Sequence, residues 1–354
     1  MKRRELGNPF FNSQNYQTFP YHKENFHQIE RLETGRKICS IDGGNQEIYP
    51  TPEYSIQLNR IYFNIFKDKK RLSIKSDIPQ RIEFLSLTTL NRDDTETFYE
   101  TKLSIENEEY LKYLPLERDL QTTAIGSDFS LGNKILMERV SSMARRFAEW
   151  TIAEHIIDEE MDDGDIIIKD GSLQVAHANE SKYAEQIFGK AKKKGVIFTG
   201  LSKTCRVTTD TGYSLIASVD KYAKQNDIQY PEWCYFPIAK SKREADHRAV
   251  VMVAKLNRDA STPFRFEILK DQADNMSTKE IMDVVSSIAE YSRDIILPGY
   301  PYGLFDAHVW ARVRREDLEY YRMILDVELA KTDVYEDFGT RVKAVSMHDK
   351  LDEL

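Results

Sequence analysis

The chain has 354 residues, 41% of them hydrophobic and 31% charged, with a net charge of −8. These values describe an ordinary globular chain long enough to bury a sizeable core. They argue against a basic domain that coats nucleic acid, while leaving room for a local basic groove on an acidic protein. The three cysteines, Cys39, Cys205 and Cys234, are odd in number and form no CxxC pair. That argues against a zinc site or a disulfide framework and predicts a reducing, cytoplasmic setting. The basic start of the chain lacks the apolar run of a secretory signal, and the closing "LDEL" has little weight without one. No apolar stretch approaches the roughly 18 residues of a membrane span, so no membrane partner is expected.

In chain order, residues 1–35 read as an irregular or partly helical arm. "RKICSIDGG" is a predicted strand, and "SIQLNRIYFNIFK", "RLSIKS" and "RIEFLSL" continue a strand-rich block. The charged segment from Asn91 to Leu120 reads as helical turns and loop. A long helix is expected from Leu131 to Ile157, because Leu136, Val140, Met143, Phe147 and Trp150 recur at spacings of three and four. "DIIIKDGSL" is a strand. "ESKYAEQIFGKAKKKG" is a helix closing on Gly195, and its lysines suit a helix C-terminus. "GVIFTGLSK", "YSLIASV", "EWCYFPIA", "RAVVMVAKL" and "FRFEIL" are further strand candidates. Helices return in "KEIMDVVSSIAEYSRDI" and "FDAHVWARVRREDLEYYRMILDVELA". The pattern predicts one mixed α/β domain with helices against a central sheet.

Two apolar runs stop on Asp–Gly, at Asp42 and Asp170. A single Asp–Gly after a strand is most simply a turn. A pair predicts two carboxylates at neighbouring strand ends. A ribonuclease-H-like nuclease uses such a pair, completed by a helix carboxylate, to hold hard divalent cations beside a phosphodiester. Glu149 and Glu154 both lie on the long helix, and spacing favours neither. "GVIFTGLSKT" is not a P-loop, because Leu201 and Ser202 separate the second glycine from Lys203. Lys203 at a strand end suits a phosphate or developing charge. In "PGYPYGLFDAHVW", Asp306 and His308 lie two apart, about 200° around a helix, so they do not share one metal. His308 is either structural or a metal ligand or proton donor, and Asp306 suits a helix N-terminus.

Taken in order, "ICSIDGG", "RRFAEWTIA", "IIIKDGSL", "FTGLSKT" and "YPYGLFDAHVWARV" resemble the signature elements of the NurA nucleases, over roughly residues 37 to 313. The resemblance implies an α/β, ribonuclease-H-like mixed sheet flanked by helices, with helical insertions. It implies an arm at 1–35, a nuclease domain at 36–330 and a tail at 331–354. It implies a Mn²⁺-dependent deoxyribonuclease, with Mg²⁺ as the other candidate and two ions in the site. The implied activities are 5′-to-3′ exonuclease and single-strand endonuclease. The implied partners are DNA, a HerA-type hexameric ATPase and a second copy of the chain. The implied setting is DNA end resection or antiviral defence. It assigns metal binding to Asp42, Glu149, Asp170 and His308, and places Lys203 and Tyr300 in the site. It also selects Glu149 over Glu154. One departure is Gly44, where the family usually has serine. The competing readings are a catalytically weak relative that guides DNA for the ATPase, and an unrelated metal-dependent phosphohydrolase.

Overall fold

The computed structural model describes residues 6–30, 32, 34–92, 96–123, 133–177, 179–242, 247–333, 338–340 and 342. In chain order, short strands β1 (Tyr16–Thr18) and β2 (Phe26–Gln28) precede a long hairpin, β3 (Ile38–Pro50) and β4 (Tyr54–Lys67). Strands β5 (Lys70–Arg71), β6 (Arg81–Arg92), β7 (Thr97–Ser104) and β8 (Thr122–Thr123) follow. Helices α1 (Asn133–Ser141) and α2 (Met143–Glu159) lead to β9 (Ile166–Asp170), α3 (Glu180–Lys194), β10 (Ile197–Ser202) and α4 (Leu215–Gln225). Three strands come next, β11 (Trp233–Ser241), β12 (Ala249–Lys255) and β13 (Phe264–Leu269). The helices α5 (Lys270–Ala273), α6 (Thr278–Glu290), α7 (Tyr302–Ala311) and α8 (Arg315–Leu329) complete the order.

The chain divides into two compact units. The first comprises Met1–Asp42, Phe63–Ile78 and Ala153–Val309, and the second Gly43–Tyr62, Pro79–Ile152 and Trp310–Leu354. Strands β3 and β4 contribute residues to both. The fold class is the expected one, an α/β ribonuclease-H-like mixed sheet flanked by helices. Its strand connectivity is a β3–β4–β6 meander, then β9 parallel to β3 and β10 parallel to β9.

In the first unit the strand order is β1-β11-β12-β13-β10-β9-β3. Strand β12 shows how it is buried on both faces. Val250, Met252 and Ala254 join Ile166, Ile168, Phe266 and Ile268 in a core closed by Val284, Val285 and Ile288 of α6. Val251 and Val253 point the other way, onto Leu215, Val219 and Ala223 of α4. This is the period-2 alternation of a strand between two helical layers. Helix α6 starts at a capping box, with Ser277 and Glu280 each bonding the other's backbone. Helix α3 ends on Gly195 in the left-handed region, φ 73°. Its lysines hold the end of α2: Lys194 donates to the Ile157 and Asp158 carbonyls at 2.7 Å each, and Lys190 pairs with Glu154 and Asp158.

In the second unit β6 pairs antiparallel with β4 and β7, and β7 with β8. Arg60 of β4 binds Glu83 of β6, Asp317 of α8 and the Arg312 carbonyl. It thereby ties α8 to the strands, and Leu318, Tyr321 and Leu325 pack on Ile48, Tyr49 and Leu58.

Several elements differ from the sequence reading. "YSLIASV" is not a strand: Leu215, Val219 and Ala223, spaced by four, bury the face of helix α4. The long helix is two helices, broken at Ser142. Ser141 and Ser142 turn their hydroxyls back onto the Glu138 and Arg139 carbonyls, which competes with the helical ladder. Leu131 and the Leu136 side chain lie outside the described residues, while Val140, Met143, Phe147 and Trp150 are buried as expected. The last helical stretch is also two helices, α7 and α8, parted at residues 312–314. "RLSIKS" holds only the end of β5. The segment read as turns and loop contains β7 before its 3₁₀ turns, Glu108–Tyr113 and Glu117–Leu120. Residues of the N-terminal arm form β1 and β2, which bond to the two ends of β11. Short polar strands of this kind carry too few apolar positions to show a period.

Candidate metal centre

The register of two parallel strands builds the centre. Ile38 pairs with Ile166 and Ile41 with Lys169, so Asp42 and Asp170 come next on their strands, abreast. Asp170 ends β9, as its Asp–Gly predicted, and Gly171 turns at φ 99°. Asp42 does not end its strand. Strand β3 runs through Gly43 and Gly44 to Pro50. These glycines serve close approach rather than a turn. A Cβ on Gly43 would stand 2.6 Å from Glu149 Oε1, and one on Gly44 would stand 2.3 Å from the Ala311 carbonyl oxygen. Position 44 therefore has no room for the serine usual in the resembled motif.

Helix α7 brings the imidazole. It lies close to β3 and β4 because Gly303 has no side chain: a Cβ there would meet Ser40 Oγ at 2.4 Å. Asn64 donates to the Gly303 carbonyl and to Asp306, both at 2.8 Å, and Arg71 pairs with Asp306. Asp306 is thus a mid-helix anchor to β4 and β5, not an N-terminal charge. Two residues on, His308 Nδ1 lies 2.9 Å from Asp42 Oδ2. Against an ionised carboxylate, which only accepts, Nδ1 is the donating nitrogen of this contact. Asp306 and His308 thus have different partners.

Lys203 directly follows β10. Its ammonium lies 2.7 Å from Asp170 Oδ2 and 3.7 Å from Asp42 Oδ2. It also stands 5.4 Å from the Tyr300 ring centre. The Tyr300 hydroxyl donates to Asp170 Oδ1 at 3.3 Å. Burial and then the facing carboxylates push this phenol far above its ordinary pKa, so it stays a donor. Burial and the neighbouring Asp42 also raise Asp170, with Lys203 pulling the other way. Asp42 is 6% exposed. Two carboxylates this close and this dry need a positive charge between them.

The structure thus brings together Asp42, Asp170, Lys203, Tyr300 and His308, all in the first unit. Glu149 belongs to the second. It is buried rather than solvated, ion-paired with Arg145 one turn earlier, and its carboxylate lies against Gly43. The only sequence signal for Arg145 is its i, i+4 spacing to Glu149. Glu154 is held by Lys190 at 2.8 Å.

Among the described residues, Asp42, Asp170 and His308 bring one oxygen or nitrogen ligand each within 4.8 Å of one another. Two carboxylate oxygens and an imidazole nitrogen fit a divalent first-row ion such as Mn²⁺, and the carboxylates alone suit Mg²⁺. The lysine ammonium against both carboxylates shows a field that already selects a cation. Asp42, Asp170 and His308 could hold the metal, with Lys203 and Tyr300 orienting Asp170.

A paired-carboxylate, imidazole-bearing metal-type centre on a ribonuclease-H-like sheet defines the class. The NurA domain matches residues 36–313, most of the chain. The chain belongs to the NurA family, which is nuclease-related. No curated protein sequence matches it. Two solved structures resemble it weakly. The Argonaute of Aquifex aeolicus is 9% identical at a TM-score of 0.24, with 73% of this chain and 24% of that one covered. The Argonaute of Kluyveromyces polysporus with a guide RNA is 9% identical at 0.30, with 80% and 28% covered. The chain spans about a quarter of the length of each.

Proposed function

We propose that the protein is a metal-dependent deoxyribonuclease. The observation that carries this reading is the juxtaposition of Asp42, Asp170 and His308 within 4.8 Å on adjacent parallel strands and helix α7. Membership of a nuclease-related family supports it. Mn²⁺ is the ion of this reading because the resemblance implies it and the carboxylate pair suits it. The bound cation supplies positive charge at the phosphodiester oxygens. The chain's own residues do the rest. The carboxylates fix the cation, Lys203 offers an ammonium to a phosphate, and Tyr300 holds Asp170 in place. Glu149 keeps the helix-carboxylate role that the resemblance implies.

The finer reading is a 5′-to-3′ exonuclease and single-strand endonuclease that works as a homodimer with a HerA-type hexameric ATPase in the cytoplasm. Its setting is DNA end resection or antiviral defence. No helix among the described residues is long and apolar enough to cross a membrane. The presence of all the implied carboxylates favours an enzyme over a DNA-guiding partner that has lost activity.

The test is incubation of purified protein with end-labelled linear and single-stranded DNA, with and without Mn²⁺. Metal-dependent loss of label, absent from Asp42→Asn and Asp170→Asn proteins of normal melting temperature, is expected. Cleavage by either variant at the wild-type rate would overturn the assignment. Label placed at the 5′ or 3′ end reads polarity in the same assay.

A further inference from the structure

We propose that a cavity of about 480 Å³ opening at Lys203 is a phosphate subsite for the DNA strand, separate from the metal centre. The proposal rests on the nuclease reading for its ligand, but its evidence is independent. The volume falls within the roughly 300–1,000 Å³ of small-ligand clefts. Lys203, Tyr213, Ser214, Ala217, Lys221 and Arg265 line it, all in the first unit.

Three features select an anion. The first is the N-terminus of α4, an eleven-residue helix. Ser214 is its N-cap, and the serine side chain makes no capping bond. The Leu215 amide donates to the Val207 carbonyl, and the ladder begins with Ser218 on Ser214. The amides of residues 216 and 217 have no acceptor in their own helix, at its positive end. The second feature is Arg265, only 8% exposed. Glu267 holds one end of its guanidinium at 2.5 Å, and its buried Nε has no hydrogen-bond partner among the described residues. The third is Lys221. Its ammonium lies 5.4 Å from the Tyr213 ring centre and makes no ion pair among the described residues. Among the described residues, the one carboxylate lining the cavity, Asp220, is engaged by Lys224 at 2.6 Å.

Positive charge from a helix end and the Lys221 ammonium, with Lys203 and Arg265 at the wall, matches a phosphate. Lys203 lines this cavity and also touches the metal-centre carboxylates. A phosphate here therefore anchors the strand one step from the bond to be cut. The phosphate is either a 5′-terminal monoester or an internal diester.

The experiment measures binding of short 5′-phosphorylated and 5′-hydroxyl single strands to the full chain without metal. It compares wild type with Lys221→Ala and Ala217→Asp. An aspartate in the first turn favours the helix, so Ala217→Asp repels a phosphate without unfolding α4. Each variant is expected to weaken binding of the phosphorylated strand about tenfold or more at unchanged melting temperature. Lys221→Ala should also reduce the salt slope by about 0.7. If the terminal monoester is the ligand, wild type loses a similar factor on the 5′-hydroxyl strand and the variants lose no more. If an internal diester is the ligand, the variants weaken both strands equally. Wild-type affinity of both variants for both strands would overturn the subsite, even where metal-dependent cleavage is intact. Weakened binding by the variants, with a wild type that never cleaves DNA, would retain the subsite and overturn the nuclease reading.

Discussion

His308 is half-exposed, and its Nδ1 contacts Asp42. Its loss therefore removes a functional group rather than core packing. His308→Ala should reduce turnover by about 10²- to 10⁴-fold, the range of a positioned acid–base group, at nearly unchanged melting temperature. Asp306→Asn should do the reverse, because Asp306 anchors α7 to Asn64 and Arg71. Measuring rate and melting temperature on both variants separates the roles, and a destabilised but fully active His308→Ala protein would remove His308 from the site. The two helix glutamates divide in the same way. Glu149→Gln should impair cleavage strongly. Glu154→Gln loses a partly exposed pair with Lys190, costing under about 1 kcal/mol, and should cleave normally. Equal, mild effects on activity would show that the helix carboxylate was wrongly chosen. Asp170 adds a pH dependence. Its folded-state pKa is raised above 3.8 by burial and by Asp42. Its contribution to metal-free stability therefore falls as pH rises through the window above 3.8, where only the folded state holds the proton. A cation needs the ionised form, so stabilisation by Mn²⁺ should fade as pH is lowered through the same window. Thermal melts across pH would show this, and Asp170→Asn should abolish it.

Elements are fixed by contacts between strands and helices that single residues make possible. Strand β3 stays extended past Asp42 because Gly43 and Gly44 accept neighbours where a Cβ would collide. Gly44→Ser restores the residue usual in the family motif but meets the Ala311 carbonyl. It should destabilise by about 1–3 kcal/mol, read as a lower denaturation midpoint. The strands β12 and β13 carry a second buried network away from the metal centre. His247 Nε2 lies 2.8 Å from Glu267 Oε2, which also accepts from the Leu173 amide, and Arg265 pairs with the other oxygen. Burial alone would raise Glu267, but His247 and Arg265 hold it down to about 2. The network stabilises the fold above the ordinary value of 4.5, and that stability is lost as pH falls from there toward 2. Glu267→Gln leaves the buried Arg265 without its counter-charge and should cost about 3–5 kcal/mol at neutral pH. Its stability should then vary less with pH below 4.5 than that of wild type, which acid titration of the melting temperature would test.

At the scale of the whole molecule, the net charge of −8 means that the proposed DNA substrate would be attracted only by local features. A bound cation and the Lys203 ammonium would supply them. Mn²⁺ should raise the melting temperature of wild type, by about 2.7 kcal/mol of stability at a hundred times its dissociation constant. Asp42→Asn and Asp170→Asn proteins should show little of this stabilisation. A full Mn²⁺ shift in both variants would place the ion elsewhere.

The sequence by itself determined the family, the two Asp–Gly positions, and the Lys203, Tyr300 and His308 motifs. Each is a local pattern whose residue types are demanded by chemistry or by a turn. It also determined the helices α3 and α6, because amphipathic spacing and end signals lie within a few residues of each other. Only the tertiary structure decided how these parts meet. The offset that pairs Ile38 with Ile166 sets Asp42 beside Asp170, and no local signal encodes the offset between distant strands. The Gly43–Gly44 pair looks like a turn in one dimension, and only the approach of Glu149 and Ala311 shows why the strand continues. The sheet hid α4, since "YSLIASV" has strand-like composition and its Leu215–Val219–Ala223 face becomes decisive only against Val251 and Val253. Burial then turned three ordinary side chains, Asp170, Tyr300 and Glu267, into perturbed ones, because desolvation depends on what packs around a group and not on its neighbours in sequence.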